Sequence, residues 1–300
     1  MEKSLRFLGS KLKLVEKPSD IKYSYAPLPD SGAIRLLKLS KSLLAGAKPL
    51  ITLKTFKLTE CPQYSALSYT WGEPLVDPPA SRQNVKLEEC VIHIKSAGQI
   101  YVMPVTTNLF DCLTYLTKKG FSDYLWVDAL CIDQQDVDEK SSQVSNMGII
   151  YSAAVQVIVW LGIPAMDLSD VLWIIDTFHR AIKAFAKRHG RQAAGSNWQS
   201  TDPEFYYNQL GIEDPGQRWI AYAKFFQDFR WFSRGWVFQE LALAKNVVLL
   251  VGSLEVSWYQ LCFVAKWIYL SGLRNTLPIS DESPEWKKAV NGESSYRTVY

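Results

Sequence analysis

Three hundred residues, 48% hydrophobic and 21% charged with a formal net charge of +3, suffice for a sizeable buried core in one large domain or two modest ones, and exclude a chain disordered throughout. Eleven Trp, 15 Tyr and 13 Phe promise that rings supply much of the buried area, whereas three His (93, 179, 189) and five scattered Cys (61, 90, 112, 131, 262) without CxxC or HExxH spacing leave a metal site little to be built from. The odd cysteine count, the absence of an Asn-x-Ser/Thr sequon and the lack of an apolar leader after Met1 point to a reducing, cytoplasmic setting, and the longest apolar runs, 155–163 and 247–251, fall short of the roughly 18–20 residues a membrane-spanning helix needs.

The charge is uneven. Residues 1–50 hold ten Lys/Arg against four Asp/Glu, a net +6, so the remaining residues carry −3 of the +3 total. Residues 1–22 form a basic leader in which Lys3, Arg6, Lys11, Lys13 and Lys17 interleave with Leu5, Phe7, Leu8, Leu12 and Leu14. It reads either as an arm for a membrane surface or acidic partner or as a solvated terminus, and Glu2, Glu16 and Asp20 favour the latter. The slightly acidic body argues against a nucleic-acid partner.

In chain order, Ile34–Leu39 and the alternating Ile51–Leu58 read as strands, followed by a third at Tyr64–Trp71 that stops at Gly72-Glu73-Pro74. Residues 91–94 and 100–102 flank Ser96-Ala97-Gly98 as a hairpin. Thr106 or Thr107 caps a helix running to about Lys119. The apolar runs Tyr124–Cys131 and Val155–Leu161 read as buried strands around a helix opened by the Asp136/Glu139 capping pattern, with Gln143, Met147, Ile150 and Ala154 on one face. Strand, helix, strand at this spacing predicts an α/β fold with a mainly parallel sheet and flanking helices. A long helix is expected over 168–188, an unassigned polar insertion over 190–216, helices over 217–229 and 235–245, a strand over 246–251 and a last helix over 258–272. Residues 273–300 read as a polar tail, which leaves one domain over 23–272 with extra N-terminal strands and a helical insertion at about 165–230.

Ligands collect at the carboxyl ends of parallel strands. Three polar and aromatic segments fall there: 68–73, 128–134 and 230–240. Trp236 and Glu240 lie four apart, on one face of a helix, and a carboxylate on an apolar face either pairs with an Arg, here Arg230 or Arg234, or serves a ligand. Asp128 and Asp133 suit a cation or a ribose hydroxyl, and equally the capping of loop and helix. Cys131 has no His in these segments and reads as a small buried residue rather than a nucleophile. Tyr69, Trp71 and Trp126 taken singly are core rings, and the glycine-rich phosphate loops are absent.

Taken together, these blocks resemble the fungal heterokaryon-incompatibility (HET) domain: 64–72 (YSALSYTWG), Asn108-Leu109, 125–134 (LWVDALCIDQ), Glu139, Gln143, Met147, Ile150-Tyr151, Ala154 and 231–240 (WFSRGWVFQE), with 25–28 and 34–37 upstream. The resemblance covers about residues 23–255, with a motif core at 64–255, and departs at Lys140, where the family usually carries Arg. It implies a fungal cytoplasmic protein that triggers cell death on sensing non-self, under a regulatory region or an unidentified sensor partner; a non-enzymatic module that signals by self-association is the alternative to the enzymatic reading below. HET domains are in turn remotely similar to TIR domains, whose flavodoxin-like sheet and Trp-x-x-x-Glu glutamate serve NAD cleavage. That similarity implies NAD as a substrate rather than a cofactor, no metal, Glu240 as the catalytic carboxylate, and Ser68, Tyr69, Trp71, Asp128, Asp133, Arg234, Trp236 and Gln239 about the substrate.

Overall fold

The computed structural model of the protein describes residues 21–40, 48–80, 90–190, 198 and 200–277, apart from the side chains of residues 238 and 239. The leader up to residue 20 and the tail from 278 lie outside the described residues, as does most of 191–199. Leu273 and Leu277 are buried, so the packed body continues past 272.

Among the described residues nine strands make one sheet: β1 (Ala33–Leu39), β2 (Leu50–Lys57), β3 (Tyr64–Tyr69), β4 (Val91–Ser96), β5 (Gln99–Pro104), β6 (Tyr124–Trp126), β7 (Gln156–Trp160), β8 (Val247–Val251) and β9 (Leu254–Val256), in the order β5-β4-β2-β1-β6-β3-β7-β8-β9. The class is α/β as the periodicity predicts. Strands β6, β3, β7 and β8 run parallel to one another, but β1 enters antiparallel between β2 and β6 and β9 folds back on β8, so the sheet is mixed. The central strands are those with no polar face to offer water: β3 is buried at all six positions and β7 at four of five.

Helices cover both faces. The helix α1 (Thr107–Lys118), capped by Thr106 Oγ1 on the Leu109 amide, packs Leu109, Cys112, Leu113 and Leu116 against Leu67 and Tyr69. On the other face lie α2 (Asp128–Cys131), α3 (Val137–Ala153), α4 (Ser169–His189), α5 (Pro203–Leu210), α6 (Arg218–Asp228), α7 (Val237–Ala242) and α8 (Trp258–Ser271), with Ile150, Tyr151, Ile174, Phe225 and Trp231 in its core.

The differences from the sequence reading have local causes. The run 124–131 is a strand only to Trp126: the Leu130 and Cys131 amides both turn back onto the Val127 carbonyl, making α2. The polar insertion holds α5, whose Asp202-Pro203 start and left-handed Gly211 end are ordinary helix punctuation. The helix expected over 235–245 is the short α7. Asp136 caps α3 through the Asp138 and Glu139 amides, but the Glu139 carboxylate is spent elsewhere and does not close the box.

One glycine sets the route of the chain past the sheet end. Gly162, just after β7, has φ +104, and a Cβ there would lie 2.5 Å from Pro74 Cγ and 3.3 Å from Asn108 Oδ1. Asn108 is pinned by Trp160 Nε1 and itself donates to the Thr70 carbonyl, so neither neighbour yields freely. Gly162→Ala is expected to destabilise the fold by about 1–2 kcal/mol, read from urea denaturation.

Candidate functional site

Strand alternation sends Ser68 to the same face as Tyr64 and Ala66, while its neighbour Tyr69 points to the α1 face. Ser68 Oγ donates to Glu240 Oε2 and accepts from Trp231 Nε1 at 2.8 Å. Trp231 is fully buried on the 3-10 turn Arg230–Ser233, edge-on to Phe232 and Trp258. Arg234, at the end of that turn, donates Nη2 to Glu240 Oε1 at 3.2 Å. The Glu240 amide bonds the Trp236 carbonyl, the helical i,i+4 link that the Trp-x-x-x-Glu spacing requires.

Glu240 is only 1% exposed and both its oxygens are engaged. Burial raises its pKa, against the opposing pull of the Arg234 charge and the Ser68 and Arg234 hydrogen bonds. Arg234 is thus the partner among the two arginines considered. Arg230 instead holds the Leu75 and Val76 carbonyls with Nε and Nη2 and ties down the loop after β3.

A second carboxylate stands beside the first. Asp128 opens α2 just after β6, where Oδ1 accepts the Ala129 amide and Oδ2 accepts Trp71 Nε1, both at 2.7 Å. It is half-buried, and its pKa is raised to about 6, first by burial and then by the Glu240 charge, against the Trp71 and Ala129 hydrogen bonds and Arg234. Trp71, bonded to Asp128, is 41% exposed, and Trp236, just before α7, is 51% exposed. From below, the buried Tyr151 hydroxyl donates to the Leu67 carbonyl at 3.1 Å, its pKa pushed far up by burial and then by Glu240 and Asp128. Burial and the Asp128 charge likewise hold the Tyr69 phenol protonated from the other side.

The structure therefore gathers Ser68, Asp128, Arg234 and Glu240 around the carboxyl ends of β3 and β6, with Trp71 on Asp128 and Tyr69 reaching the same field from the opposite face. Asp133 is not among them: its Oδ1 caps the Gln135 amide in the turn before α3. Gln239 lies on α7, but its side chain lies outside the described residues. Burial pushes the Cys131 thiol up to about 12, and the Val127 amide bonds its sulfur, which makes it core. Among the described residues no three His, Cys, Asp or Glu side chains are placed to hold a metal ion, and no helix is long and apolar enough to cross a membrane.

Several polar groups on the segments that carry the cluster lack partners. Arg234 Nη1, Gln134 Oε1, Thr70 Oγ1 and Trp126 Nε1 are buried without a hydrogen-bond partner, although Gln134 Nε2 holds the Asp128 carbonyl at 2.9 Å.

Behind the site lies a latch that the sequence reading overlooked. Arg35, at the centre of β1 and 3% exposed, forks onto both Glu139 oxygens, with Nη2 to Oε2 at 2.9 Å. The same guanidinium bonds the Cys131 carbonyl at 3.1 Å and the Ala26 carbonyl at 2.6 Å and lies over the Tyr25 ring. Glu139 Oε1 also takes the Asp133 amide at 2.7 Å. Both ends of the segment between Asp128 and α3 are fixed in this way. The Lys140 departure therefore costs no bidentate pair here, because β1 supplies the arginine.

Residues 64–240 match the family model described as Heterokaryon incompatibility protein (HET), a span that begins at the first residue of β3 and ends on Glu240 itself. Over 260 residues the chain is 29% identical to Heterokaryon incompatibility protein 6, OR allele, of Neurospora crassa, an alignment that takes in 78% of this chain and 35% of that protein. The chain thus spans about a third of that relative's length. No solved structure matches.

Proposed function

The chain belongs to the HET family, and from that premise we propose that it acts in fungal heterokaryon incompatibility as a cytoplasmic cell-death effector that hydrolyses the N-glycosidic bond between nicotinamide and ribose in NAD. The name of its Neurospora relative supports the biological setting. The observation that carries the chemistry is that Glu240 and Asp128 act on each other electrostatically near the carboxyl ends of β3 and β6, both with raised pKa, with the exposed ring of Trp71 on Asp128. Breaking that bond develops positive charge on the ribose, which a fixed carboxylate stabilises, and the rings offer stacking faces to planar bases. The leaving nicotinamide departs neutral and needs no acid. A TIR-like ancestry of the Trp-x-x-x-Glu helix belongs to the same proposal.

The test is nicotinamide release from NAD by the purified chain, alone and forced to oligomerise through a fused coiled coil. Turnover in either form is expected, and none in both overturns the enzymatic reading. A second reading, signalling by self-association, is favoured by the closure of Glu240 and the exposure of Trp71 and Trp236, rings that suit an interface. It expects Trp236→Glu to abolish both oligomerisation and cell killing in a chain that turns over no NAD.

A further inference from the structure

The two carboxylates of the site are not equivalent. Glu240 is 1% exposed, is bonded on one oxygen by Ser68 and on the other by Arg234, and Ser68 is held in turn by the buried Trp231. No face of it meets solvent. Asp128 is partly exposed as a residue, and among the described residues the side chain on its Oδ2 is the indole of Trp71, a ring 41% exposed on a loop with no strand pairing of its own. Its other oxygen is fixed by the Ala129 amide and its carbonyl by Gln134, so the carboxylate is rigidly aimed, with an exposed ring as its cover on one oxygen. Arg234 joins the two: one guanidinium nitrogen sits on Glu240, another is buried without a partner, and its charge acts on both carboxylates.

We propose that Asp128 is the catalytic carboxylate, the base that takes the proton of the attacking water, and that Glu240 is a positioning residue that fixes Ser68 and Arg234 behind it. This assignment rests on the glycohydrolase reading above. In the step, the bond from ribose C1′ to the nicotinamide nitrogen breaks and its electron pair stays on nicotinamide. The water oxygen bonds C1′, and the water proton passes to Asp128, which releases it to solvent when the products leave. The products are ADP-ribose, nicotinamide and one proton. Trp71 occupies Asp128 while the site is empty and is displaced or rotated as a planar group of the substrate arrives.

The groups that set the protonation of Asp128 are the Trp71 indole, the Ala129 amide, Glu240 of α7 and Arg234 before it, while Tyr151 of α3, Tyr69 of β3 and Cys131 of α2 feel its charge and stay neutral. Removing two of them moves Asp128 in opposite directions. The Trp71 hydrogen bond favours the carboxylate in the free enzyme, so Trp71→Phe shifts the acid limb of kcat/KM against pH upward. The Glu240 charge opposes it, so Glu240→Gln shifts that limb downward while measurable turnover remains. Asp128→Asn is expected to lose about 10²–10⁴-fold in kcat, the usual range for a general base, with KM for NAD little changed.

The experiment is steady-state nicotinamide release across pH by wild type and these three variants, with thermal melts to confirm folding. Trp71 is exposed, so its Phe variant reports even where a buried substitution unfolds the chain. Wild-type turnover by Asp128→Asn, or an acid limb that neither Trp71→Phe nor Glu240→Gln moves, overturns the assignment while the glycohydrolase reading stands. No turnover by wild type in any assembly state overturns both.

Discussion

Arg35→Ala is expected to destabilise the protein by about 3–5 kcal/mol, measured as a fall in the urea midpoint at unchanged slope. The size follows from what is left behind. Glu139, with its side chain 6% exposed, becomes a buried carboxylate facing a cavity, and the Cys131 and Ala26 carbonyls lose their donor. Arg35→Lys rescues little, since an ammonium cannot fork onto two oxygens and two carbonyls at once. Replacing Arg35 and Glu139 together by Met and Leu sharpens the test. Such swaps are often neutral for an isolated buried pair. Here the double variant is expected to stay destabilised, because the pair also satisfies three backbone groups: the Ala26 and Cys131 carbonyls and the Asp133 amide. A double variant as stable as wild type would show that the latch contributes shape alone.

The two raised carboxylates give stability an uncommon pH dependence. Asp128 goes from 3.8 when unfolded to about 6 in the fold, and Glu240 shifts in the same direction. A group whose pKa is raised on folding favours the fold in its protonated form. Its contribution is therefore fully present below about pH 3.8 and is lost as pH rises through about 6. Roughly two units at 1.36 kcal/mol each set a ceiling of about 3 kcal/mol, reduced to about 1–2 by solvent screening of the half-open Asp128. Asp128→Asn removes the titration. Between about pH 4 and pH 7 the difference in unfolding free energy between variant and wild type should move in the variant's favour by that amount, read from urea midpoints at three pH values. A difference that stays flat across this range would mean that Asp128 is hydrated and ordinary in the folded state.

Much of the scaffold was legible because its signals are local. Thr106 and Asp136 cap the helices they precede, and the apolar runs 64–69 and 156–160 become the buried central strands. The short helix at 128–131 hid inside an apolar run because strand and helix periods cannot be told apart over four residues. The 254–256 strand was too short to show alternation. Within the site, the Arg234–Glu240 pair spans six residues and was readable from spacing, whereas Ser68 and Glu240 lie 172 positions apart and only the family resemblance put them on one page. The Trp71–Asp128 bond and the Arg35–Glu139 latch depend on how β1, β3 and β6 stack side by side, which no local pattern encodes. One clue to the latch was present all the same: a lone arginine amid the apolar residues of β1 demands a partner.

The strand order also bears on how the chain is made. As it leaves the ribosome, β3 emerges with both edges bare, and its neighbours arrive later: β6 after some sixty residues and β7 after some ninety, with Gln156 bonding Ser65 across 91 positions. Closing loops of that length precedes any gain from pairing, so a strand buried at every position in the fold waits long unprotected. Translation products that stop short of residue 160 carry β3 without its full complement of partners. They are the species on which chaperones and aggregation compete, and the full chain escapes that competition only once β7 has docked.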